Sequence, residues 1–187
     1  QPMANGTGLM AGWSSSQAAM IVKKPCSDNI YYVFTTPHQG SAADGLRYSV
    51  VDMALQGGLG QVIQKNVFVF QPVLEKVIAV RHQNETDIWI ITHHWGTNNF
   101  VAFLLTEAGL STTPVISSTG KVHVGPPMSG DVNAIGFMTA SLDGSMLGKS
   151  IHSDGVHEFF KFDKFFKFSL IFQFLINFSI FYEFFNF

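Results

Sequence analysis

Histidine is the residue type in this sequence best suited to metal binding or proton transfer, and seven are present. His93 and His94 are adjacent, and neighbouring residues of a strand point to opposite faces, so this pair cannot readily bind one ion together. His82 and His94 could share a metal only if both reached one rim of the fold. Zinc sites use at least three converging protein ligands, and the spacing provides none. The sequence therefore predicts no metal site and no cofactor, and it favours histidines at partly exposed strand ends.

Carboxylates and serines are the next candidates for chemistry. Hydrolysis of a glycan needs two converging carboxylates. The aspartates instead fall in or beside predicted turns, where they cap backbone amides: Asp28, Asp44, Asp87, Asp143 and Asp154. Ser14-Ser15-Ser16 lacks the Gly-x-Ser-x-Gly context of a hydrolase nucleophile. We therefore predict no catalytic residue.

Aromatic side chains are the candidates for stacking on a ligand, sugars in particular. They are Trp13, Trp89, Trp95, Tyr31, Tyr32 and Tyr48. Trp89 and Tyr31 are each second in an apolar run, which favours a packing role. Trp95 follows at a predicted loop rim and is the aromatic candidate for ligand contact. The predicted ligand-binding residues are therefore Trp95, His94 and His82.

These residues belong to a repeated pattern centred on the stretch from Ile88 to Gly109. Two apolar, β-branched and aromatic runs, 88–93 and 99–106, predict strands around a Gly-Thr-Asn turn. The same pair of runs occurs upstream at 30–35 and 46–53, and downstream at 146–151 and 156–162. Ile30, Ile88 and Met146 follow one another at an interval of about 58 residues, near the range in which a fixed period indicates a repeat array.

Each unit has further predicted strands around this central pair. An apolar run precedes it at 18–22, 77–80 and 134–138, and a fourth run closes the first two units at 66–70 and 121–124. The fold class is therefore all-β, and the repeat favours a partial β-propeller of about three four-stranded antiparallel blades. A β-sandwich is the alternative, because it also has short strands and frequent turns.

The repeat also divides the chain. Residues 1–16 are a loop or a partial preceding blade, and 17–71, 72–130 and 131–163 are the first, the second and a partial third blade-like unit. A closed propeller has four to eight blades, so three units predict a fragment. With a net charge of −2 and 13% charged residues, the chain offers no basic surface for nucleic acid or an anionic membrane. Its one cysteine, Cys26, excludes an internal disulfide.

The segment 164–187 differs from the rest in composition, because it is dominated by Phe with Ile, Leu, Lys, Asn and Ser. Three interpretations compete. The favoured one is a non-native segment translated from a wrong frame of A/T-rich DNA. A membrane span over 165–187 is second, although Gln173, Asn177 and Glu183 interrupt it. In the third, a fourth strand of the last blade occupies the first few residues.

The order of these motifs resembles a known family. The matching stretches include NIYYVFTTP, LRYSVVDM followed by GGLG, EKVIAVRH before DIWIITHHW, and SLDGSML. Together they are similar to a propeller-type repeat domain, of the YVTN or WD kind, in large secreted surface proteins of Bacteroidetes. Those proteins often carry PKD-type modules and a gliding-motility-associated sorting domain for type IX secretion. The sequence departs from that pattern at Cys26, where a Gly is expected, and after Asp163-Lys164, where a Gly-containing turn is expected.

The resemblance implies an extracellular or cell-surface location and a recognition or scaffold role. We therefore expect a non-enzymatic binding module with a protein or a glycan at its loop face. A propeller-type enzyme, a lactonase or a glycan-active protein with a site formed only in the complete ring, is the alternative. The two differ in whether acids and histidines of different blades converge on a central channel.

Overall fold

The protein is built from β-strands, as its computed structural model shows for residues 2–123, 132–152, 156–162 and 168–175. The strands form three antiparallel sheets that follow one another along the chain. Sheet A contains β1 (Ala19–Lys23), β2 (Ile30–Thr35), β3 (Leu46–Asp52) and β4 (Gln61–Phe70). Sheet B contains β5 (Val73–Arg81), β6 (Ile88–His94), β7 (Asn99–Thr106), β8 (Gly109–Leu110) and β9 (Val115–Ser118). Sheet C contains β10 (Met138–Ala140), β11 (Met146–Ile151), β12 (Val156–Phe162) and β13 (Phe168–Leu175).

Short 3-10 turns lie in the connections, at Gln39–Asp44, Gln56–Gly58 and Val132–Ala134. Ile30, Ile88 and Met146 are each the first residue of the second strand of a sheet, so the predicted equivalence of these positions is confirmed. The described residues include no helix long and apolar enough to cross a bilayer. Residues 125–130, the predicted turn at Asp154 and the segment 176–187 lie outside the described residues.

Sheet B lies between the other two sheets because its central strands are apolar on both faces. Ile88 and Ile90 contribute to the core shared with sheet A, whereas Trp89 and Ile91 contribute to the core shared with sheet C. This alternation follows from the two-residue period of a strand. The arrangement is three layers, whereas a two-layer sandwich would bury only one face of each sheet.

The outer part of sheet B differs from the prediction. The fourth strand predicted at 121–124 is wrong: residues 121–123 are not in a strand, and Val124 is outside the described residues. The outer positions are taken by β8 and β9, which both pair with β7. Val115–Ser118 occupies the outer position because it pairs with Asn99–Ala102, and this pairing satisfies the backbone hydrogen-bonding groups at the edge of β7.

Sheet C also departs from the prediction at both of its edges. Its first strand starts at Met138, whereas Ala134 belongs to a 3-10 turn. Its last strand, β13, pairs with the whole of β12 and lies beyond residue 163, in the Phe-rich segment. Of the three interpretations of that segment, a fourth strand is the one that describes Phe168–Leu175.

The first strands of the three sheets run side by side, since β5 contacts both β1 and β10. Their starting ends also converge. The Gln17 side chain pairs with Met138 through two hydrogen bonds, from Gln17 Nε2 to Met138 O and from Met138 N to Gln17 Oε1, each 2.9 Å long. Ser16 Oγ donates to Gly136 O at 2.7 Å. The segments that lead into sheets A and C are therefore joined directly.

The N-terminal segment runs along the outer edge of sheet A. Ala4 forms a parallel bridge with Gln61, and Met10 N donates to Asn66 Oδ1 at 2.8 Å. Lys65 Nζ and Asn66 Nδ2 donate to the carbonyls of Thr7 and Gly8, both at 2.9 Å. The segment therefore covers an edge strand that would otherwise present unpaired backbone groups.

Candidate functional site

Four ionisable side chains meet inside the protein, between sheets B and C. They are Lys149 on β11, Glu158 on β12, His93 on β6 and His123 in the segment after β9, and each is at most 1% exposed. Lys149 Nζ lies 2.8 Å from Glu158 Oε2, which makes a buried ion pair. Lys149 Nζ also lies 5.1 Å and 5.5 Å from the ring centroids of Phe100 and Phe160. We call these four residues the buried lysine cluster.

The hydrogen bonds of the buried lysine cluster indicate which ring nitrogen of each histidine carries the hydrogen. His123 Nδ1 lies 2.9 Å from Asn133 O, and His93 Nδ1 lies 3.2 Å from His94 O. A carbonyl oxygen can only accept, so both Nδ1 atoms carry the hydrogen. Each Nε2 is then an acceptor for Lys149 Nζ, at 2.9 Å from His123 and 3.3 Å from His93. With Glu158, the ammonium group has three acceptors for its three N–H groups.

The pKa values in the cluster agree with this proton distribution. Burial, reinforced by the Lys149 charge, lowers the pKa of His123 to about 2 and that of His93 well below its ordinary value. Burial also lowers the pKa of Lys149 to about 8, because desolvation outweighs the attraction of Glu158. At neutral pH the lysine is therefore charged and both histidines are neutral.

A second polar pair, Glu75 and Lys76, lies at the start of β5. Glu75 Oε2 accepts a bond from Ser16 N at 2.7 Å and lies 3.0 Å from Ser16 Oγ, and Glu75 Oε1 accepts a bond from Gln39 N at 2.7 Å. Lys76 Nζ donates to Ala134 O at 3.0 Å and Ile135 O at 3.2 Å. Burial, with a smaller contribution from the Lys149 charge, lowers the pKa of Lys76 well below its ordinary value. The pair ties sheet B to segments that flank sheets A and C.

Neither buried group has the geometry of an active site. A catalytic group must reach the atoms of a substrate. Three surface cavities, one around Trp13, one beside His82 and one between Tyr48 and Phe103, are lined by other residues. The polar atoms of the buried lysine cluster and of the Glu75–Lys76 pair are instead bonded to protein atoms of neighbouring segments. These bonds stabilise the packing of the sheets against one another.

Trp95, predicted at a loop rim, is buried. It is 8% exposed and packs in a small core with Ala42, Leu74 and Ala134. Its backbone N–H donates to Pro72 O at 3.1 Å. Apolar residues from three neighbouring segments therefore cover the indole, which leaves little of its surface for the ligand contact predicted for Trp95.

His94 and His82 lie at opposite ends of sheet B. His94 pairs with Val73, the first residue of β5, whereas His82 follows Arg81, the last. The ring of His94 packs edge-on against Phe70 at 5.1 Å, and burial lowers its pKa. The two histidines therefore do not meet at one ion. Within residues 2–123, 132–152, 156–162 and 168–175, no three His, Cys, Asp or Glu side chains form a group that could hold a metal.

His82 belongs to the largest of the three cavities, which we call the BC groove. This groove of about 720 Å³ lies between the ends of β5 and β10. Its polar and exposed lining includes Arg81, His82, Glu85, Ser141, Leu142 and Asp143. His82 is held there by Trp89, with ring centroids 5.6 Å apart, and by Asn84 N, which donates to His82 Nδ1 at 3.2 Å. Of the three predicted ligand-binding residues, His82 is the one that lines any of these three cavities among the described residues.

Asp143 shapes the turn at one wall of the BC groove. Asp143 Oδ1 accepts bonds from Ser141 Oγ at 2.6 Å and Ser145 N at 3.0 Å. These bonds lower the pKa of Asp143 to about 2. The prediction that turn aspartates cap nearby backbone amides is confirmed for this residue.

A smaller cavity lies at the opposite end of the strands, around Trp13. We call this cavity of about 200 Å³ the Trp13 pocket. The side chains that line it include Trp13, His38, Ser41, Asp44 and Arg47. Trp13 is one of the predicted stacking candidates but not one of the three predicted ligand-binding residues. A large aromatic residue in a Gly-, Ser- and Asn-rich segment was the signal available, since such a segment offers little apolar cover.

The described residues define an all-β protein of three consecutive antiparallel sheets, with the BC groove and the Trp13 pocket at opposite ends of its strands. No protein-family model matches the sequence, and no curated protein matches it. A crystal structure of a functionally unknown protein from Desulfotomaculum acetoxidans DSM 771 is similar in fold, with a TM-score of 0.45 and 12% sequence identity. The match covers 88% of this chain and 45% of that one, so the chain spans less than half the length of that protein.

Proposed function

We propose that this chain is part of a non-enzymatic β-propeller binding module of an exported surface protein. Three features support the propeller arrangement: the repeated order of strands, the burial of sheet B on both faces, and the adjacent first strands β1, β5 and β10. The resemblance to secreted Bacteroidetes proteins supports the surface location.

The BC groove is the observation that carries the binding role. Two neighbouring sheets supply its walls, so it depends on the repeat and not on one loop. Loops on a rigid β-scaffold are the usual place for recognition. Arg81, Glu85 and Asp143 give the groove both signs of charge, and the Leu142 side chain is fully exposed in it. Mixed charge beside an exposed apolar side chain suits an extended protein segment.

The alternative, a lactonase or a glycan-active enzyme, requires acids and histidines that a substrate can reach. Glu158 of sheet C, His93 of sheet B and His123 of the segment after β9 do converge, but they are enclosed and bonded to Lys149 or to backbone carbonyls. Because the three described cavities exclude them, the arrangement favours binding over catalysis.

A peptide array tests the proposal. The chain is compared with the double variant Arg81→Glu/Leu142→Asp, which alters the BC groove without touching a core. Leu59→Asp is the matched control, since Leu59 is 78% exposed away from the groove. We expect a set of bound peptides that the double variant loses and the control retains. The proposal would be contradicted if the double variant bound the same peptides as the parent chain. It would also be contradicted if the chain hydrolysed chromogenic lactones or glycosides.

A further inference from the structure

We propose that the Trp13 pocket binds one neutral pyranose ring of a glycan. The site is distinct from the BC groove, because it lies where β2 ends and β3 begins, whereas the groove lies where β5 and β10 end. The inference therefore stands independently of the proposed role of the groove.

Trp13 supplies the platform. Trp13 is 89% exposed, more than any other Phe, Tyr or Trp among the described residues. Its ring centroid lies 5.6 Å from that of His38. Exposing an indole forgoes the apolar burial that usually stabilises it. A pyranose ring has one face of C–H groups and a periphery of hydroxyls, so it can cover an indole while its hydroxyls face polar groups.

Arg47 and Asp44 supply those polar groups. Arg47 Nη1 donates to Asn66 O at 3.2 Å, and its guanidinium carbon lies 5.6 Å from the Phe68 ring centroid. These two contacts hold the guanidinium group at the pocket wall, and its Nε is buried without a hydrogen-bond partner in the described part of the chain. Asp44 is exposed, and among the described residues its carboxylate accepts no hydrogen bond. A donor and an acceptor thus lie beside the platform, as recognition of a hydroxyl group requires.

Backbone geometry holds Asp44 and Arg47 in place. Gly45 between them has φ 75°, and a Cβ there would lie 2.6 Å from Phe70 O, so the connection requires glycine. Ser41 Oγ lies 3.0 Å from His38 Nδ1, which orients the His38 ring beneath Trp13. The pocket is therefore held by hydrogen bonds that do not involve a ligand.

Size and charge select the ligand class. The cavity of about 200 Å³ is smaller than the roughly 300–1,000 Å³ of sites for drug-sized ligands, so it suits a single ring. One positive and one negative side chain flank it, which favours a neutral ring over an anionic sugar.

Intrinsic fluorescence tests this site directly. Trp89 and Trp95 are 9% and 8% exposed, so a change caused by a sugar reports on Trp13. The probes are the methyl glycosides of glucose, galactose, mannose and N-acetylglucosamine, with glucuronic acid as the anionic comparison. We expect a saturable change with at least one neutral glycoside and a weaker one with glucuronic acid.

Variants separate binding from folding. In calorimetric titrations with the best glycoside, Trp13→Ala and Asp44→Asn should each weaken binding by about tenfold or more, whereas Trp13→Phe retains most of it. Leu59→Asp, which changes an exposed residue away from the Trp13 pocket, should bind the glycoside as the parent does, and thermal melting checks that every variant is folded. The proposal is overturned if no neutral glycoside gives a saturable change, if folded Trp13→Ala binds like the parent, or if glucuronic acid binds best.

Discussion

Lys149 Nζ and Glu158 Oε2 lie 2.8 Å apart, and neither side chain is exposed to solvent. Removal of one partner leaves a buried charge without its counter-ion, which costs about 3–5 kcal/mol. We expect Lys149→Met and Glu158→Gln each to lower the free energy of unfolding by about this amount, as urea denaturation would measure. The double variant Lys149→Met/Glu158→Leu should recover most of the loss, because no charge then remains.

Lys161 is the control for that experiment, since it lies exposed on the same sheet. Lys161→Met should change stability by less than about 0.5 kcal/mol. A double variant no more stable than either single variant would show that the pair contributes through more than mutual neutralisation, and the prediction would then be wrong.

Stability should decrease as the pH falls below about 6.5, the ordinary pKa of histidine in an unfolded chain. In the folded protein the pKa of His123 is lowered to about 2 and that of His93 is also lowered. On acidification the histidines of the unfolded chain therefore take up protons that those of the folded chain do not. The free energy of unfolding is thus highest above the pKa of the unfolded histidines and decreases as the pH falls below it. Each histidine contributes a slope of up to about 1.4 kcal/mol per pH unit.

Urea midpoints measured between about pH 7.5 and pH 5 give this slope. Substitution of His123 by Gln, whose amide can also donate to Asn133 O and accept from Lys149, should make the slope shallower. His152→Gln, on the surface, should leave it unchanged. An identical slope for the parent and His123→Gln would contradict the assignment of a neutral His123.

Cys26 occupies a left-handed backbone position, with φ 55°, in an exposed turn between β1 and β2. A side chain with a Cβ is strained there and glycine is not. We expect Cys26→Gly to raise the free energy of unfolding by about 0.5–1 kcal/mol, since part of the relief is offset by the greater freedom of glycine in the unfolded chain. Cys26→Ser retains the Cβ and should have little effect; a destabilising Cys26→Gly would argue against the conformation.

The strand β13 should contribute measurably to stability. It pairs with β12, which carries the fully buried Phe160 and Glu158. A chain that ends after residue 167 should lose at least about 2–3 kcal/mol, the value of burying one large apolar side chain. A chain that ends after Leu175 retains β13 and is the control. Equal thermal stability of the two chains would show that the pairing is not formed in solution.

The repeat was readable in the sequence because its strands are apolar and β-branched over whole runs, as at Ile88–His94. The outer strand Val115–Ser118 was not, because it is short and exposed and is selected by its pairing with β7. The alternation rule placed His93 and His94 on opposite faces, and the structure confirms this. The same rule could not identify what His93 contacts, since Lys149 and His123 come from distant segments.

The buried lysine cluster escaped prediction for a related reason. A lysine or a glutamate in a sequence indicates a solvated surface unless its partner is known. Lys149 and Glu158 face each other only because β11 and β12 pair in the register that aligns these two positions. The burial of Trp95 was not predicted because the residues next to it in the sequence form a polar loop. Leu74 and Ala134, which cover it in the structure, come from distant segments.

The paired hydrogen bonds between Gln17 and Met138 join two segments that are far apart in the sequence. They connect two residues that are 121 positions apart in the sequence, and they hold the starts of β1 and β10 close together beside β5. Loss of these two bonds should therefore loosen the contact between the segments that lead into sheets A and C.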